Sequence, residues 1–397
     1  MTHRDARTTD SAGVTSGRSP RLFPAPTPEV PLNAPARTDD PATTPATAAP
    51  SPTARRTGSS LWRYMLVRFL LIFPTIFILV TLVFLLMRTT GDPITAALGG
   101  RLTADQLAER VAAAGYDRPL IVQYLEYIGQ VFTGNFGTTI SDNRPVVEVL
   151  FVYGAATAEL VFYALIVAFL VGIPLGMLAA YFRDKTSDAV LRILAILFYA
   201  TPVFFAGLLL KLVFAVSLKW LPVSGRASTT TELEFAFLDG RSGVYLVDAI
   251  RTGNAEVIGD VLSHAVLPGI ALGLITAGIF LRLVRANMIG TLGTDYVDAA
   301  RSRGVSEFRL VRTHAYRPAL IPIITVIGLQ VAMLLGGAVL TETTFEWKGL
   351  GFQLSEYLQA RDFVAVQGIV VLLAVIVAVT NFIVDVVAAL IDPRVRY

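Results

Sequence analysis

Asp295-Tyr-Val-Asp-Ala-Ala-Arg-Ser-Arg-Gly-Val-Ser-Glu-Phe-Arg-Leu-Val-Arg-Thr-His-Ala-Tyr-Arg-Pro318 is a polar, arginine-rich run held between two apolar stretches, 265–283 and 320–341. Each neighbour is close to the length, about 20 residues, that a helix needs to cross a hydrocarbon layer. The run between them is patterned. Val297, Leu310 and Val311 are placed for packing, and Ala299 and Ala300 favour helix. Gly304 suits a left-handed bend, and Ser306 stands where an N-cap would start a second helix. Two short helices joined at Gly304 are therefore expected. Such a basic projection is suited to docking a soluble partner; the alternative is a solvated loop held near anionic lipid by its arginines.

Outward from this run, four more apolar stretches reach spanning length: 67–87, 157–181, 190–214 and 364–391. The composition agrees, with 54% hydrophobic and 16% charged residues, against about 25% charged in an ordinary soluble domain. Backbone groups in lipid must be bonded within their own segment, and the alternating pattern of a barrel is absent. The expected fold is all-α, a polytopic membrane protein with six transmembrane helices. Residues 1–60, rich in Pro, Ala and Thr, lack the apolar periodicity of a packed element and read as a disordered cytoplasmic tail. The chain has no cysteine and only three scattered histidines, His3, His264 and His314. Disulfides, thiolate metal sites and cysteine nucleophiles are excluded together.

Arginine placement orients the spans. Arg55, Arg56, Arg63 and Arg68 precede the first; Arg183, Lys185 and Arg192 surround the second connection; Arg282, Arg285, Arg301, Arg303, Arg309, Arg312 and Arg317 crowd the fourth; Arg394 and Arg396 close the chain. Those segments are expected in the cytoplasm, with both termini on that side. The first, third and fifth connections are expected outside. Gly172 with Gly176, and Gly269 with Gly273, recur at the spacing that lets neighbouring helices approach.

Within the run at 295–318, Asp298-Ala-Ala-x-x-x-Gly304 resembles the EAA loop of binding-protein-dependent ABC import permeases, with Asp in place of the usual Glu. Arg317-Pro-Ala-Leu-Ile-Pro322 resembles the peptide and nickel branch of that family. From about residue 62 onward further strings follow in the branch's order: Gly91-Asp-Pro93, Asp117-Arg-Pro119, Gln123-Tyr124, Gly134-Asn-Phe-Gly137, Thr201-Pro202, Leu221-Pro-Val-Ser-Gly225, Leu267-Pro268, Gly349-Leu-Gly351, Arg361-Asp362 and Asp392-Pro-Arg394. Asn135 stands where the family often has Asp, and Lys348 where it often has Pro. The resemblance implies a type I importer permease fold over 61–397, a coupling segment at about 285–318 and an extracytoplasmic insertion at about 226–263.

It also implies a function, the import of di- or oligopeptides or similar solutes delivered by an extracytoplasmic binding protein. The implied partners are a homologous second permease, two cytoplasmic ATPase subunits and that binding protein, in a bacterial cell membrane. The implied coupling residues are Asp295, Asp298, Ala299, Ala300, Arg301, Gly304, Ser306, Arg309 and Arg312. No Gly-x-x-x-x-Gly-Lys-Ser/Thr loop occurs in the chain, so ATP and Mg are expected on the partner ATPases, with no cofactor and no enzyme activity in this chain. Nickel or glutathione-like solutes fit the same branch. A secondary transporter would need intramembrane carboxylates, and Asp385, sharing a helix face with Asn381, is the candidate. A salt bridge from Asp385 to an arginine of the coupling segment is the structural alternative. Glu342, Glu346 and Trp347 follow the fifth span, where a delivered solute or its binding protein would make contact, unless they form only a solvated loop. Glu159 and His264 read as interface residues.

Overall fold

The computed structural model describes residues 61–89 and 91–391; the expected N-terminal tail, Arg394, Arg396 and the Asp392-Pro-Arg394 string lie outside them. Among the described residues every regular element is a helix, apart from one isolated β-bridge between Thr138 and Pro145. Five helical segments are long and apolar enough to cross a membrane: 65–89, 146–181, 255–292, 326–345 and 363–387. The remaining expected span is broken. Helix α1, Leu61–Thr89, is followed by three short helices, α2 (Pro93–Leu98), α3 (Ala104–Ala113) and α4 (Leu120–Phe132). Helix α5, Val146–Val167, continues through a π-turn, Ala168–Gly172, into α6, Ile173–Tyr181. Pro174 explains the widened turn: it has no N–H for the carbonyl one turn back, and the extra residue relieves the ring clash.

The third apolar stretch becomes α7, Thr186–Ala200, and α8, Val203–Leu210, the latter carried on by a π-turn, Lys211–Ser217. The two meet at 105°, so 186–217 is one broken span and not a straight rod. Thr201 before Pro202 is driven to an extended conformation, φ −78° and ψ 125°, which no helix tolerates. Hydropathy sums over a window and does not register this bend.

At the centre stands α11, Ala255–Leu292, packed against α5, α6, α7 and α8 and against α14, Tyr316–Phe345. In its most apolar window 61% of residues are buried, against 17% for α1, which marks α11 as the axis and α1 as the periphery. Both glycine pairs serve that packing. A Cβ on Gly176 would sit 2.6 Å from Val284 Cβ, and one on Gly273 would sit 2.6 Å from the Ala164 carbonyl, so larger residues would push α5 and α6 off α11. Helix α11 begins ten residues before the apolar stretch read from the sequence. Its polar first turns are satisfied locally: Ser263 Oγ donates to the Asp260 carbonyl at 2.7 Å, and the Asp260 carboxylate accepts from Ser228 N at 2.8 Å.

The expected insertion is a folded unit. Helices α9 (Thr229–Ala236) and α10 (Tyr245–Thr252) share a small core of Ala227, Phe235, Ala249, Val257 and Val261 with the start of α11. At the opposite end of α11 lie α12, Asp295–Ser302, and α13, Glu307–Arg309. Helix α15, Leu350–Gln359, and α16, Phe363–Ile391, complete the chain.

Candidate functional site

The run at 295–318 forms an elbow whose tip is polar and whose foot is apolar. Thr294 N-caps α12 through its carbonyl, which accepts from Asp298 N at 3.1 Å, and Asp295 and Asp298 occupy the first turn, where carboxylates complement the helix dipole. The bend falls at Gly304, with φ +80°. Space around it is open, so a substitution there meets backbone strain and no clash. Arg301 ties the two arms together. Its Nε donates to Glu307 Oε1 at 2.7 Å, and its Nη1 pairs with Asp298. The Glu307 carboxylate raises the Arg301 guanidinium above its ordinary pKa.

Asp295, Asp298, Ala299, Arg301, Gly304, Ser306, Arg309 and Arg312 are exposed, and Ala300 is half-buried. Beneath them Val297, Leu310 and Val311 are buried. Val311 and Ala315 join Phe280, Val284 and Met288 of α11 and Ala319 and Ile323 of α14 in one core. Burying each such aliphatic side chain contributes about 1.5–3 kcal/mol, which is enough to hold the elbow as a body.

Two expectations for this segment need correction. Ser306 has N-cap geometry, φ −64° and ψ 147°, but its side chain makes no capping bond; only its carbonyl accepts, from Leu310 N at 2.9 Å. The second arm is also not a separate helix. From Glu307 the chain runs through α13 and a π-turn, Leu310–Ala315, directly into α14. Pro318, in the first turn of α14, withholds the N–H that a regular turn would offer to His314. The tip is thereby joined without a break to a span that continues to Phe345.

Sequence reasoning missed three features here. Tyr296 and Phe308 are exposed at the elbow, 48% and 60%, with Tyr296 Oη donating to the His314 carbonyl and Phe308 edge-on to Tyr181. Aromatic residues and arginine are the types enriched at protein interfaces. The third is a clamp. Asp188, fully buried at the start of α7, accepts from Arg285 Nε at 2.6 Å and Nη2 at 2.8 Å. It fixes the connection between α6 and α7 to the base of α11.

At the other end of the bundle Glu342 and Trp347 are not surface residues; both are completely buried. Glu342 accepts from Thr157 Oγ1 at 2.6 Å and Phe352 N at 2.9 Å, while Trp347 Nε1 donates to the Ala156 carbonyl at 2.9 Å. They staple α14 and α15 to α5. A solvated loop is excluded for these two, because their polar atoms bond to protein. Glu346 alone is exposed, and it ends α14 in a left-handed conformation, φ 53°. Glu159 is the root of the 226–254 unit: it accepts from Arg226 Nη2 at 2.5 Å, Tyr163 Oη at 3.1 Å, Tyr245 N at 3.1 Å and Leu246 N at 2.8 Å. Arg226 lies over the Tyr245 ring at 3.6 Å. Burial pushes the Tyr245 phenol above its ordinary pKa.

Asp385 pairs with Arg68 of α1 at 3.1 Å, not with an arginine of the elbow. Among the described residues no group of three or more His, Cys, Asp or Glu is placed to hold a metal.

Residues 172–397 match the family described as "Binding-protein-dependent transport system inner membrane component", and residues 61–170 match "Binding-prot-dependent transport system membrane comp, N-term". The chain is 38% identical to the "Di/tripeptide transport system permease protein DppB" of Pseudomonas aeruginosa, over 82% of this chain and 96% of that one. It is 37% identical to the "Dipeptide transport system permease protein DppB" of Escherichia coli, over 84% and 99%. It is 34% identical to the "Glutathione transport system permease protein GsiC" of Salmonella choleraesuis, again over 84% and 99%.

Proposed function

The chain belongs to the family of binding-protein-dependent transport inner membrane components, and from that premise we propose that its α12–α13 elbow is the handle by which partner ATPases drive it. It is a multi-pass inner membrane protein and the permease subunit of an ABC importer for peptides. The importer's other parts are a second, homologous permease, two cytoplasmic ATPases that bind ATP and Mg, and an extracytoplasmic binding protein. The elbow faces the cytoplasm, where the arginine excess belongs, and both termini share that side. The 226–254 unit and Glu346 face outside.

One observation carries the coupling role: the second arm of the elbow and the fifth span are one uninterrupted helical path from Glu307 to Phe345. Closure of the ATPase pair pushes Asp295, Asp298, Ala299, Ala300, Arg301, Gly304, Ser306, Arg309 and Arg312 as a unit. The push shifts α14 relative to α11 and alternates access of the pathway. For this to work the ATPase must favour one state of the elbow over the other by a few kcal/mol. The likeness to a glutathione permease supports a second solute class for the same machine.

The test is reconstitution of the chain with its second permease and ATPases in vesicles. Gly304→Val is expected to insert and assemble but to abolish uptake and its coupling to ATP hydrolysis. Transport-coupled hydrolysis surviving that change would overturn the lever. Uptake by the chain without any ATPase would overturn the importer reading itself, in favour of a secondary transporter.

A further inference from the structure

The end of α1, the inner face of α4, the turn at 135–140 and the first turns of α16 enclose a half-open cavity of about 320 Å³. Among the described residues five buried side-chain polar atoms lack a hydrogen-bond partner. Four of them belong to residues of this one wall: Arg88 Nε and Gln123 Oε1, and Tyr127 Oη and Gln367 Nε2, which neighbour each other. Buried polar atoms are normally satisfied, and a donor at Arg88 Nε and an acceptor at Gln123 Oε1 left open on one cavity wall point to an occupant. Gln123 is only 7% exposed, and its amide is oriented by two bonds, Nε2 donating to the Tyr116 carbonyl at 3.0 Å and to the Arg118 carbonyl at 2.7 Å. Its Oε1 is thus a fixed acceptor without a donor. The Arg88 guanidinium is held by rings, 4.5 Å from the Tyr116 centroid and 5.2 Å from that of Phe84. Glu126, the carboxylate of the lining, is already paired with Arg118 at 2.5 Å. The cavity lining therefore carries a cation, Arg88, and a fixed acceptor, Gln123 Oε1.

Its depth identifies the chemistry. Arg88 sits in the last turn of the apolar run 65–89, beside the exposed Leu85 and Leu86. Helix α4 lies along that end of α1: Tyr124 and Tyr127 pack on Phe84 with ring centroids at 5.3 and 5.6 Å, and Tyr124 Oη meets Thr81 Oγ1 at 2.7 Å. On its other face Ile121, Leu125 and Phe132, at helical spacing, are exposed. An apolar face on a helix anchored at the end of a spanning segment suits the membrane boundary, the level of phospholipid headgroups.

We propose that this cavity binds a phospholipid headgroup. The phosphodiester oxygens meet Arg88 and Gln367 Nε2, and a headgroup hydroxyl or amine donates to Gln123 Oε1. The acyl chains then run along α1 and the apolar face of α4. This site lies apart from the elbow and does not depend on the coupling role assigned to it.

The test uses the whole assembled complex, delipidated in detergent, with retained phospholipid quantified after extraction. Thermal stability is followed with phosphatidylglycerol, phosphatidylethanolamine, inorganic phosphate or a dipeptide added. Wild type is expected to keep phospholipid through delipidation and to gain thermal stability from phospholipid alone. Arg88→Gln should retain about tenfold less. Gln123→Leu and Gln367→Leu separate lipid binding from folding because each variant is compared with itself with and without added phospholipid. Gln123→Leu also gives up its bonds to the Tyr116 and Arg118 carbonyls and lowers basal stability, so only the loss of the phospholipid-dependent gain counts. In a lipid site both variants lose the protection that phospholipid confers. Equal lipid retention in wild type and both leucine variants overturns the proposal. So does protection by inorganic phosphate or dipeptide in place of phospholipid.

Discussion

At the α12 end of the bundle Asp295, Asp298, Arg301 and Glu307 stand in solvent above a foot of Val297, Leu310 and Val311, whereas at the α10 end Glu159, Arg226 and Glu342 are enclosed among aromatic residues. The residue types are the same and their work is opposite. Exposed charges contribute little to holding a fold, so at the elbow the aliphatic foot provides the stability while the charges, paired with one another, stay in solvent. Enclosed carboxylates must be paired or hydrogen-bonded, and once held they fix one geometry against all others. On the proposed coupling role the elbow is the part a partner grips, and the far end is the part that holds still.

This contrast breaks first at the enclosed end. Arg226→Met leaves the Glu159 carboxylate without its guanidinium, and is expected to destabilise by about 3–5 kcal/mol. Thermal unfolding of the purified protein reads the loss, and Glu159→Gln in the same chain should restore part of it. If Arg226→Met unfolds like wild type, the pair is not a staple. Next comes the clamp at the base of α11, a buried pair sited at the elbow end. Arg285→Ala is expected to destabilise by about 3 kcal/mol, moderated because Arg192 lies 3.8 Å from Asp188 and partly replaces it.

At the elbow itself the effects on folding shrink while those on coupling grow. Gly304→Val imposes a left-handed conformation on a branched side chain, at about 1–2 kcal/mol, with uptake lost and membrane insertion retained. Gly304→Asn, which tolerates that conformation, should keep most uptake. Phe308→Ala and Tyr296→Ala are expected to weaken ATPase docking by about 1–2 kcal/mol each, read as complex affinity in pull-down titrations, with the unfolding temperature unmoved. Arg301→Ala is the mildest for the fold: no measurable change in unfolding, but docking that becomes less sensitive to salt. A large unfolding shift from Arg301→Ala would show that the elbow is held by its charges and not by its foot.

Much of this was legible from residue order. The spans other than the third, the arginine-rich elbow and the bend at Gly304 follow from local composition and spacing. Ser306 was legible as a cap position but not as a cap, because whether its hydroxyl bonds depends on the backbone it meets. Glu342 and Trp347 read as solvent-facing because they follow an apolar span; the partners that enclose them, Thr157 and Ala156, are 185 and 191 positions away. The cavity beside Arg88 left no trace in the sequence, since its lining comes from α1, α4 and α16.

The sequence by itself determined that this chain lives in a membrane, roughly where it crosses, and that its fourth connection is a basic two-armed projection. Those properties are sums over neighbouring residues, and transfer into lipid is additive along a helix. Only the tertiary structure decided that the third span is broken, that the second arm of the elbow is the start of the fifth span, and which charges are enclosed. Pairs such as Asp188 with Arg285, 97 positions apart, exist only once helices pack. Burial is a property of what surrounds a group, and no window along the chain contains that.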